Sequence, residues 1–566
     1  MPPVHSKRLP CRIIYSGGLS GQRRNSPCEY ACPAGTAIQS AHFLLAEGRT
    51  DEALSFLLSR NPFPGITGRV CPHFCENACN RAEHDEAVAI RALERHVSGA
   101  GGDVPWPARA PSTGRRIAVI GSGPAGLSCA CYAALMGHSV TVFESAPLMG
   151  GVPRHSLPEF RLPRQIADYE TARVLKAGDI TVHTNTALGR DIFLPALRRD
   201  FDACVLAVGL QKERRLPIPG GDLALPAVGW LKAANMERRS LRGEKVLIMG
   251  GGGVAFDCAF TALRLGASSV EMVCLETADA MRVPVEELRQ AEEEEGIVIH
   301  NERSAARIVR IENGGLRLEA DRVAFFGFGE DGSLKLETVP GDSAAFEAGL
   351  LICASGLQPD LSVLGEGMPT ASARGCIAAD PETLETSLPG VFAAGDIASG
   401  PSSVAAAVGG GRAAALAAHR HVMGLLPGTC LEVSISDDNK VEMRETERLP
   451  PAHTVDYREM LHVDWHGHDS RRSSSGEDAM PPVLPFRELV PALSPADARA
   501  EAARCMHCGQ CSACGNCVDH CPGHILEMGE SGPHAAWPDQ CWHCGCCRIA
   551  CPDGAISYVF PLTMMV

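Results

Sequence analysis

The stretch Arg116-Ile-Ala-Val-Ile-Gly-Ser-Gly-Pro-Ala-Gly126 decides the fold of the central part of the chain. An apolar run leads directly into a G-x-G-x-x-G turn and then into a helical pattern, and this context makes the motif specific for a dinucleotide-binding βαβ unit. The first glycine permits the tight turn, the second lets the backbone approach a pyrophosphate at the helix N-terminus, and the third permits close packing. The predicted pyrophosphate-binding residues are Gly121, Gly123, Pro124, Ala125 and Gly126.

Two acidic residues extend this predicted site. The next strand, Val140-Thr-Val-Phe-Glu144, ends in an acid where a ribose hydroxyl would lie. Far downstream, an apolar strand ends in Gly395-Asp396, and a helix is predicted over 403–417. A carboxylate in this position can lie beside the ribityl-phosphate arm of a flavin, so the pair predicts an FAD site. The alternative interpretation of Asp396 is an ordinary helix cap.

A second nucleotide fingerprint lies between the two halves of the first. Lys245-Val-Leu-Ile-Met-Gly-Gly-Gly-Gly-Val-Ala255 contains a G-x-G-x-x-A motif, which predicts an inserted nicotinamide-binding domain. Its next strand ends at Glu276, and an acid there binds a ribose 2′-hydroxyl but repels a 2′-phosphate. NAD(H) is therefore favoured over NADP(H), although Arg282 is near enough to keep NADPH an alternative. The predicted contacts are Gly250, Gly252, Gly253, Ala255 and Glu276.

The C-terminal segment carries the most specific signal, two copies of the run Cys-x2-Cys-x2-Cys-x3-Cys-Pro of bacterial ferredoxins. In such runs the first three cysteines bind one [4Fe-4S] cluster, and the fourth ligates the other cluster. One cluster is predicted to be bound by Cys511, Cys514, Cys517 and Cys551. The other is predicted to be bound by Cys541, Cys544, Cys547 and Cys521. Cys546 is left over as a spare thiol.

Composition limits the remaining possibilities. The 566 residues are 45% hydrophobic and can bury several cores, while a net charge of -15 argues against nucleic-acid or anionic membrane partners. Neither a run of about 18 apolar residues nor a secretory signal is visible, so a cytoplasmic location is expected. The 25 cysteines concentrate toward the two ends of the sequence, as metal ligands do and disulfide staples do not. No Cys-x4-Cys follows the first Gly-rich helix, which argues against a flavin-linked disulfide relay.

The expected fold class is α/β, with two doubly wound domains, an N-terminal helical domain and a C-terminal ferredoxin-like domain. The predicted boundaries are an N-terminal arm (1–25), a helical iron–sulfur domain (26–110), an FAD-binding domain in two parts (111–235 and 351–425), an NAD(P)-binding domain (236–350), a linker (426–500) and a 2[4Fe-4S] ferredoxin domain (501–566).

Over residues 26–425 the order of motifs resembles the small subunit of glutamate synthase and the N-terminal half of dihydropyrimidine dehydrogenase. The resemblance rests on Cys28-x3-Cys32-Pro, Gly68-Arg-Val-Cys-Pro72, Cys75-Glu-Asn-Ala-Cys79, Gly150-Gly-Val-Pro153, Phe160-Arg-Leu-Pro163, Ala255-Phe-Asp-Cys258 and Ala394-Gly-Asp396. It implies FAD, iron–sulfur clusters and a nicotinamide nucleotide, and we expect Gly150, Gly151 and Arg161 near the cofactors. Members carry an arginine pair for the phosphate of NADPH where this chain has Leu275-Glu276, which strengthens the NAD(H) prediction.

The N-terminal cysteines are too few for two complete clusters. Related flavoproteins begin with an Arg-Cys-x2-Cys-Gly segment, and here that pattern occurs at Arg504-Cys-Met-His-Cys-Gly509. Cys505 and Cys508 are therefore expected to join Cys28 and Cys79 around one cluster. The resemblance further implies a second cluster held by Cys32, Cys71, Cys75 and Glu94, for a total of four. The alternative is a single N-terminal cluster. His73, His507 and His543 are expected to adjust cluster potentials without being ligands.

These features predict an oxidoreductase that exchanges hydride with NAD(H) and passes single electrons through [4Fe-4S] clusters. The expected partner is a ferredoxin or a low-potential enzyme, such as a 2-oxoacid:ferredoxin oxidoreductase, in a larger complex. One alternative is a glutamate synthase small subunit. An alternative of another class is a non-enzymatic scaffold whose cysteines bind zinc.

Overall fold

The computed structural model describes residues 24–556, except 282, 313, 330–333, 366–367, 427–429, 436–438, 447–452, 461–462, 464–465, 474–485, 489–490, 510, 512–513, 530–531, 538–539, 543 and 553–554. The predicted N-terminal arm lies almost wholly outside these residues, and so do Arg282 and His543.

The N-terminal domain is helical, as predicted. Its α-helices are Pro27–Ala31, Ile38–Ala46, Thr50–Leu58, Pro64–Val70, Phe74–Asn77 and Ile90–Ala100. Apolar side chains from most of these helices form one core, and Leu493, Ala498 and Ala502 from the far end of the chain complete it. The burial of these small and apolar residues explains why the distant segment folds back onto this domain.

The FAD-binding part is a parallel five-stranded sheet with helices packed against it. Its strands, in spatial order, are Val391–Ala393, Ala203–Leu206, Arg116–Ile120, Ser139–Phe143 and Ile180–His183. The main helices are Pro124–Leu135, Arg164–Val174, Leu194–Asp200 and Val404–Met423. The last of these helices begins after the N-cap Ser403, whose Oγ accepts a hydrogen bond from the Ala406 N–H, and it runs beyond the predicted 403–417.

The inserted domain has its own parallel five-stranded sheet. The spatial order is Val298–His300, Ser269–Val273, Lys245–Met249, Leu350–Cys353 and Leu225–Pro226. Its helices are Ala227–Glu237, Gly253–Arg264 and Val285–Arg289. An antiparallel sheet of Arg303–Arg310, Leu316–Phe328 and Leu334–Ala348 is added to it. Strand pairing thus extends the domain beyond the predicted 236–350 at both ends.

The segment predicted to be a linker, 426–500, contains regular structure. Strands Cys430–Ile435 and Val441–Thr446 pair with each other, and His453–Thr454 pairs with Arg24–Asn25. The helix Pro495–Ala503 begins with Pro495 after the capping side chain of Ser494. After it come the helices Asn516–Asp519 and Cys546–Ile549 and the hairpin Leu526–Gly529 with Gly532–Ala535. None of the helices within the described residues has the length and apolar character to span a membrane.

Candidate active site and iron–sulfur centres

The first Gly-rich loop joins the strand Arg116–Ile120 to the helix Pro124–Leu135. Gly121 has a φ of 104°, and a Cβ there would collide with the Ala207 carbonyl group. A Cβ at Gly126 would collide with the carbonyl oxygen of Gly121. At Gly123, by contrast, none of the described atoms lies within 4 Å of an added Cβ. The fold therefore requires two of the glycines, and the third leaves room for a ligand to approach the backbone.

Other predicted FAD contacts surround this loop. Glu144 is buried and accepts hydrogen bonds from the Ser122 N–H at 2.9 Å and the Ser122 hydroxyl at 2.5 Å. A Cβ added to Gly151 would lie 2.7 Å from the Cα of Gly123, and one added to Gly395 would lie 2.8 Å from the Cβ of Ala125. The structure thus brings together segments that are far apart in sequence.

Asp396 opens the short helix Asp396–Ser399 beside this loop. Burial raises the pKa of its carboxyl group, while the Ser402 hydroxyl donates a hydrogen bond to Oδ1 at 2.7 Å. Ser402 thus holds this carboxylate through both its hydroxyl group and its backbone N–H.

The second Gly-rich loop has the same plan. Gly250 has a φ of 135°, and its N–H donates to the carbonyl oxygen of Val273 at 2.9 Å. Among the described atoms, none lies within 4 Å of a Cβ placed on Gly252 or Gly253. The carboxylate of Glu276 reaches this loop, since a Cβ on Gly251 would lie 2.6 Å from its Oε2. The loop therefore combines an open backbone surface with one adjacent acid.

Arg161 lies between the two nucleotide-binding parts. Its guanidinium group forms an ion pair with Asp257 and a bidentate pair with Glu287, with both nitrogen–oxygen distances at 2.7 Å. Both acids belong to the inserted domain, so Arg161 connects that domain to the FAD-binding part. Sequence reasoning placed Arg161 against a cofactor and gave no indication of this bridge.

One N-terminal cavity is lined by cysteines from both ends of the chain. Cys28 and Cys79 face it together with Cys505 and Cys508. Gln39 Nε2 donates to the carbonyl oxygen of Cys508 at 3.0 Å, which fixes the returning segment. Burial, followed by the charges of Glu29, Cys505 and Cys79, raises the pKa of the Cys28 thiol.

A second cavity is lined by Cys32, Cys71, Cys75 and Glu94. The Glu94 Oε1 accepts hydrogen bonds from Asn61 Nδ2 at 2.8 Å and Thr67 Oγ1 at 2.9 Å. Burial raises the pKa of Glu94 to about 8. Burial also raises the pKa of Cys71, to about 12, and the charges of Glu94 and Cys32 add to this shift. Asn61 and Thr67 thus hold the Glu94 carboxyl group in place, and neither residue was identified from the sequence.

The donor sets of both cavities fit iron–sulfur centres. Each set groups four residues able to supply thiolate or carboxylate ligands, and no Lys or Arg is among the described residues that line the second cavity. Buried anionic ligands without a cationic partner are costly, and a cationic metal centre removes that cost. The structure thus groups the thiols as the sequence analysis proposed, and their role as ligands stays a prediction.

The C-terminal array repeats one local arrangement twice. Helices Asn516–Asp519 and Cys546–Ile549 each follow a glycine with positive φ. Four residues after Cys521 the N–H of Ile525 donates to the cysteine Sγ at 3.3 Å, and the N–H of Ala555 does the same for Cys551.

Two thiols of this array have neighbouring cysteines from both runs. After burial, the charges of Cys511, Cys551 and Cys514 contribute most to raising the pKa of Cys517 to about 12. A hydrogen bond with Cys544 raises the pKa of Cys546, and Cys547 and Cys521 are also close to it.

Two nucleotide-binding units joined to thiol-lined cavities define a nicotinamide-nucleotide oxidoreductase with flavin and iron–sulfur cofactors. The chain belongs to the family described as pyridine nucleotide-disulphide oxidoreductase, which matches residues 115–411. Residues 22–101 match the family described as dihydropyrimidine dehydrogenase domain II, 4Fe-4S cluster. The predicted fold class and enzyme class are confirmed, and the non-enzymatic scaffold is wrong.

Three relatives extend over most of the chain. It is 33% identical over 513 residues to the NADP(+)-dependent formate dehydrogenase subunit beta of Moorella thermoacetica, covering 85% of this chain and 70% of the relative. It is 30% identical over 522 residues to the NADPH-Fe(3+) oxidoreductase subunit beta of Geobacter sulfurreducens, covering 85% and 75%. It is 33% identical over 427 residues to the glutamate synthase [NADPH] small chain of Bacillus subtilis, covering 69% and 86%.

Proposed function

We propose that the chain is the electron-transfer subunit of a larger redox complex. It exchanges hydride with NAD(H) and single electrons, through four [4Fe-4S] clusters, with a ferredoxin or a low-potential enzyme such as a 2-oxoacid:ferredoxin oxidoreductase. The observation that carries the proposal is the return of Cys505 and Cys508 to the cavity of Cys28 and Cys79. Cys508 and Cys511 are three residues apart, so their Cα atoms are separated by at most about 11 Å. The N-terminal centres and the ferredoxin array are therefore neighbours along the backbone.

The residues of the chain have separate tasks in this function. When bound, FAD converts the electron pair of a hydride into the single electrons that iron–sulfur clusters carry. The Gly121–Gly126 loop binds the flavin pyrophosphate, with Asp396 beside the ribityl-phosphate arm. The Gly250–Ala255 loop and Glu276 bind the nicotinamide nucleotide. Arg161 connects the two parts and so helps to fix the orientation of one nucleotide relative to the other.

The preference for NAD(H) rests on Glu276. Its carboxylate faces the second Gly-rich loop, where it would accept a hydrogen bond from a ribose hydroxyl and repel a phosphate. The names of the three relatives contain NADP(+) or NADPH, so this chain would differ from them.

Glu276→Arg tests this preference. A charged hydrogen bond contributes about 1.5–3 kcal/mol, so the ratio of kcat/KM for NADPH to that for NADH should rise at least about tenfold. The control is Glu237→Arg, which makes the same charge change at an exposed helix end. An unchanged ratio in Glu276→Arg would contradict the placement of Glu276 at the ribose.

The identity as a complex subunit is tested by anaerobic purification of the native assembly. The chain should co-purify with a catalytic subunit, one FAD and about 16 iron atoms, as four clusters require. NADH should reduce all of the clusters. A chain isolated alone with about 12 iron atoms would contradict both the partner and the second N-terminal cluster.

A glutamate synthase small subunit is the second candidate, favoured by the similarity to the Bacillus subtilis small chain. That match covers 69% of this chain, whereas the first two relatives cover 85%. Glutamine-dependent formation of glutamate with a large subunit would support this candidate. Its absence, with rapid reduction of a ferredoxin, would support the first.

A further inference from the structure

The helix Ile38–Ala46 contributes residues to the walls of both N-terminal cysteine cavities. Three residues line both cavities, and two of them, Ile38 and Ile90, are apolar. The third is His42. Any electron that passes directly between centres in these cavities must cross this shared wall, in which His42 is the only polar side chain among the described residues.

His42 is a buried polar residue with a ring nitrogen left unpaired by the part of the chain that the structure describes. It is 4% exposed, and among the described residues its Nδ1 has no hydrogen-bond partner. The polar side chains on the other side of the second cavity are paired, since Asn61 and Thr67 both donate to Glu94. An unsatisfied buried nitrogen costs about 1–3 kcal/mol, and a bound ion, cofactor or water molecule can supply the missing partner.

We propose that His42 donates a hydrogen bond from its imidazole N–H to a sulfur atom of an iron–sulfur centre in one of these two cavities. This inference rests on the proposed ligand sets of the cavities. His42 would then adjust the reduction potential of one N-terminal centre. It would thereby control the transfer of electrons between the centres in the two cavities.

The direction of the effect follows from charge. Reduction adds one negative charge to a cluster, and a hydrogen bond to its sulfur stabilises the more negative form. Removing the donor should therefore lower the potential of that centre. A charged hydrogen bond predicts about a tenfold change in the ratio of reduced to oxidised cluster at a fixed potential, which corresponds to about 59 mV for one electron.

The test compares His42→Gln and His42→Met in the full-length holoprotein. The two replacements have similar size, but only glutamine has an N–H donor. Ile90→Leu is a control that alters the apolar part of the same wall. Each protein is prepared anaerobically, its iron is counted, and the N-terminal centres are titrated electrochemically with detection by electron paramagnetic resonance.

In His42→Met we expect the reduction potential of one N-terminal centre to be lower than in the wild type. At a fixed potential, the ratio of reduced to oxidised cluster at that centre should fall about tenfold. His42→Gln and Ile90→Leu should remain close to the wild type. Equal potentials in the glutamine and methionine variants would overturn the proposal. Equal loss of iron from both variants would show that His42 only packs between the cavities, and this outcome would overturn the proposal as well. Failure of the ligand sets is seen separately, as an iron deficit in the wild-type protein.

Discussion

The two iron–sulfur regions of this protein are built in opposite ways. In the C-terminal array all predicted ligands come from two short runs with the same spacing. In both runs the sulfur of the last cysteine, Cys521 or Cys551, accepts a hydrogen bond from the backbone N–H four residues later. In the N-terminal region one cavity combines Cys28 and Cys79 with Cys505 and Cys508 from the other end of the chain. The first arrangement depends on local sequence, and the second depends on the whole fold.

The distributed arrangement needs contacts that hold the chain ends together. We call the set of Asp85, Glu501 and Arg504 the junction; Glu501 and Arg504 are buried, and Asp85 is partly buried. Arg504 contacts Asp85 at 2.9 Å and Glu501 at 2.7 Å, and Glu501 Oε1 also accepts from the Ala89 N–H at 2.8 Å. Paired and hydrogen-bonded charges can be buried, whereas a charge that loses its partner is strongly destabilising.

The largest effect should come from Cys508→Ala. We expect it to remove about four iron atoms from the N-terminal region and to leave the C-terminal array loaded. The control is Cys546→Ala, which removes a half-buried thiol that the proposed ligand sets do not use. Iron analysis with spectroscopy of the separate centres measures both. Equal iron in the two variants would contradict the shared N-terminal site.

The same contrast explains how much could be predicted from sequence. The ferredoxin runs and the two Gly-rich loops carry their geometry in local spacing, so they could be identified directly. The family pattern also suggested that Cys505 and Cys508 return to the N-terminal domain. Local spacing gives no information on partners such as Asn61 and Glu94, which are distant in sequence and meet only through packing.

Other features were missed for related physical reasons. Segment 426–500 has no sustained period, yet Leu493 is buried in the N-terminal core and short strands form where other strands offer an edge. Arg161 was assigned to a cofactor because it lies in a family motif. Its acidic partners, Asp257 and Glu287, come from the inserted domain, and sequence does not show the relative placement of two domains.

The next largest effect is expected for Arg504→Ala, which removes the centre of the junction. It leaves the buried carboxylate of Glu501 without this cation, so unfolding should become easier by about 3–5 kcal/mol. Denaturant unfolding measures the loss, and the iron of the N-terminal centres should be released before that of the array.

Arg499→Ala is the matched control, because Arg499 lies exposed on the helix that ends just before Arg504. Its effect should stay within about 0.5 kcal/mol. Equal destabilisation by the two variants would show that the junction does not hold the chain ends.

A smaller and more local effect is predicted for Asn61→Ala. Loss of the hydrogen bond to Glu94 should weaken iron binding in the second cavity by about 10–100-fold, because groups that orient a metal ligand have effects of this size. The measurement is the rate of iron release to a chelator. The C-terminal array serves as the internal control, and acceleration in both regions alike would contradict the assignment.

The smallest effect concerns the pH dependence of the junction. Burial by itself raises the pKa of Asp85, but hydrogen bonds from the Arg81 side chain and from the backbone N–H groups of Asp469 and Glu86 outweigh it and hold the pKa well below its usual value. Because the folded protein then binds fewer protons than the unfolded chain, Asp85 contributes stability above pH 4, and this contribution is lost as the pH falls further.

Asp85→Asn removes that contribution at every pH. The difference in Tm between the wild type and this variant should therefore be constant from about pH 7 to pH 5. It should shrink below about pH 4, because protonation then removes from the wild type the same carboxylate charge that the substitution removes from the variant. A difference that stays the same down to pH 3 would mean that the Asp85 carboxylate does not stabilise the junction through its charge. The distributed site would then depend on the Glu501–Arg504 pair and on the apolar contacts of Leu493, Ala498 and Ala502.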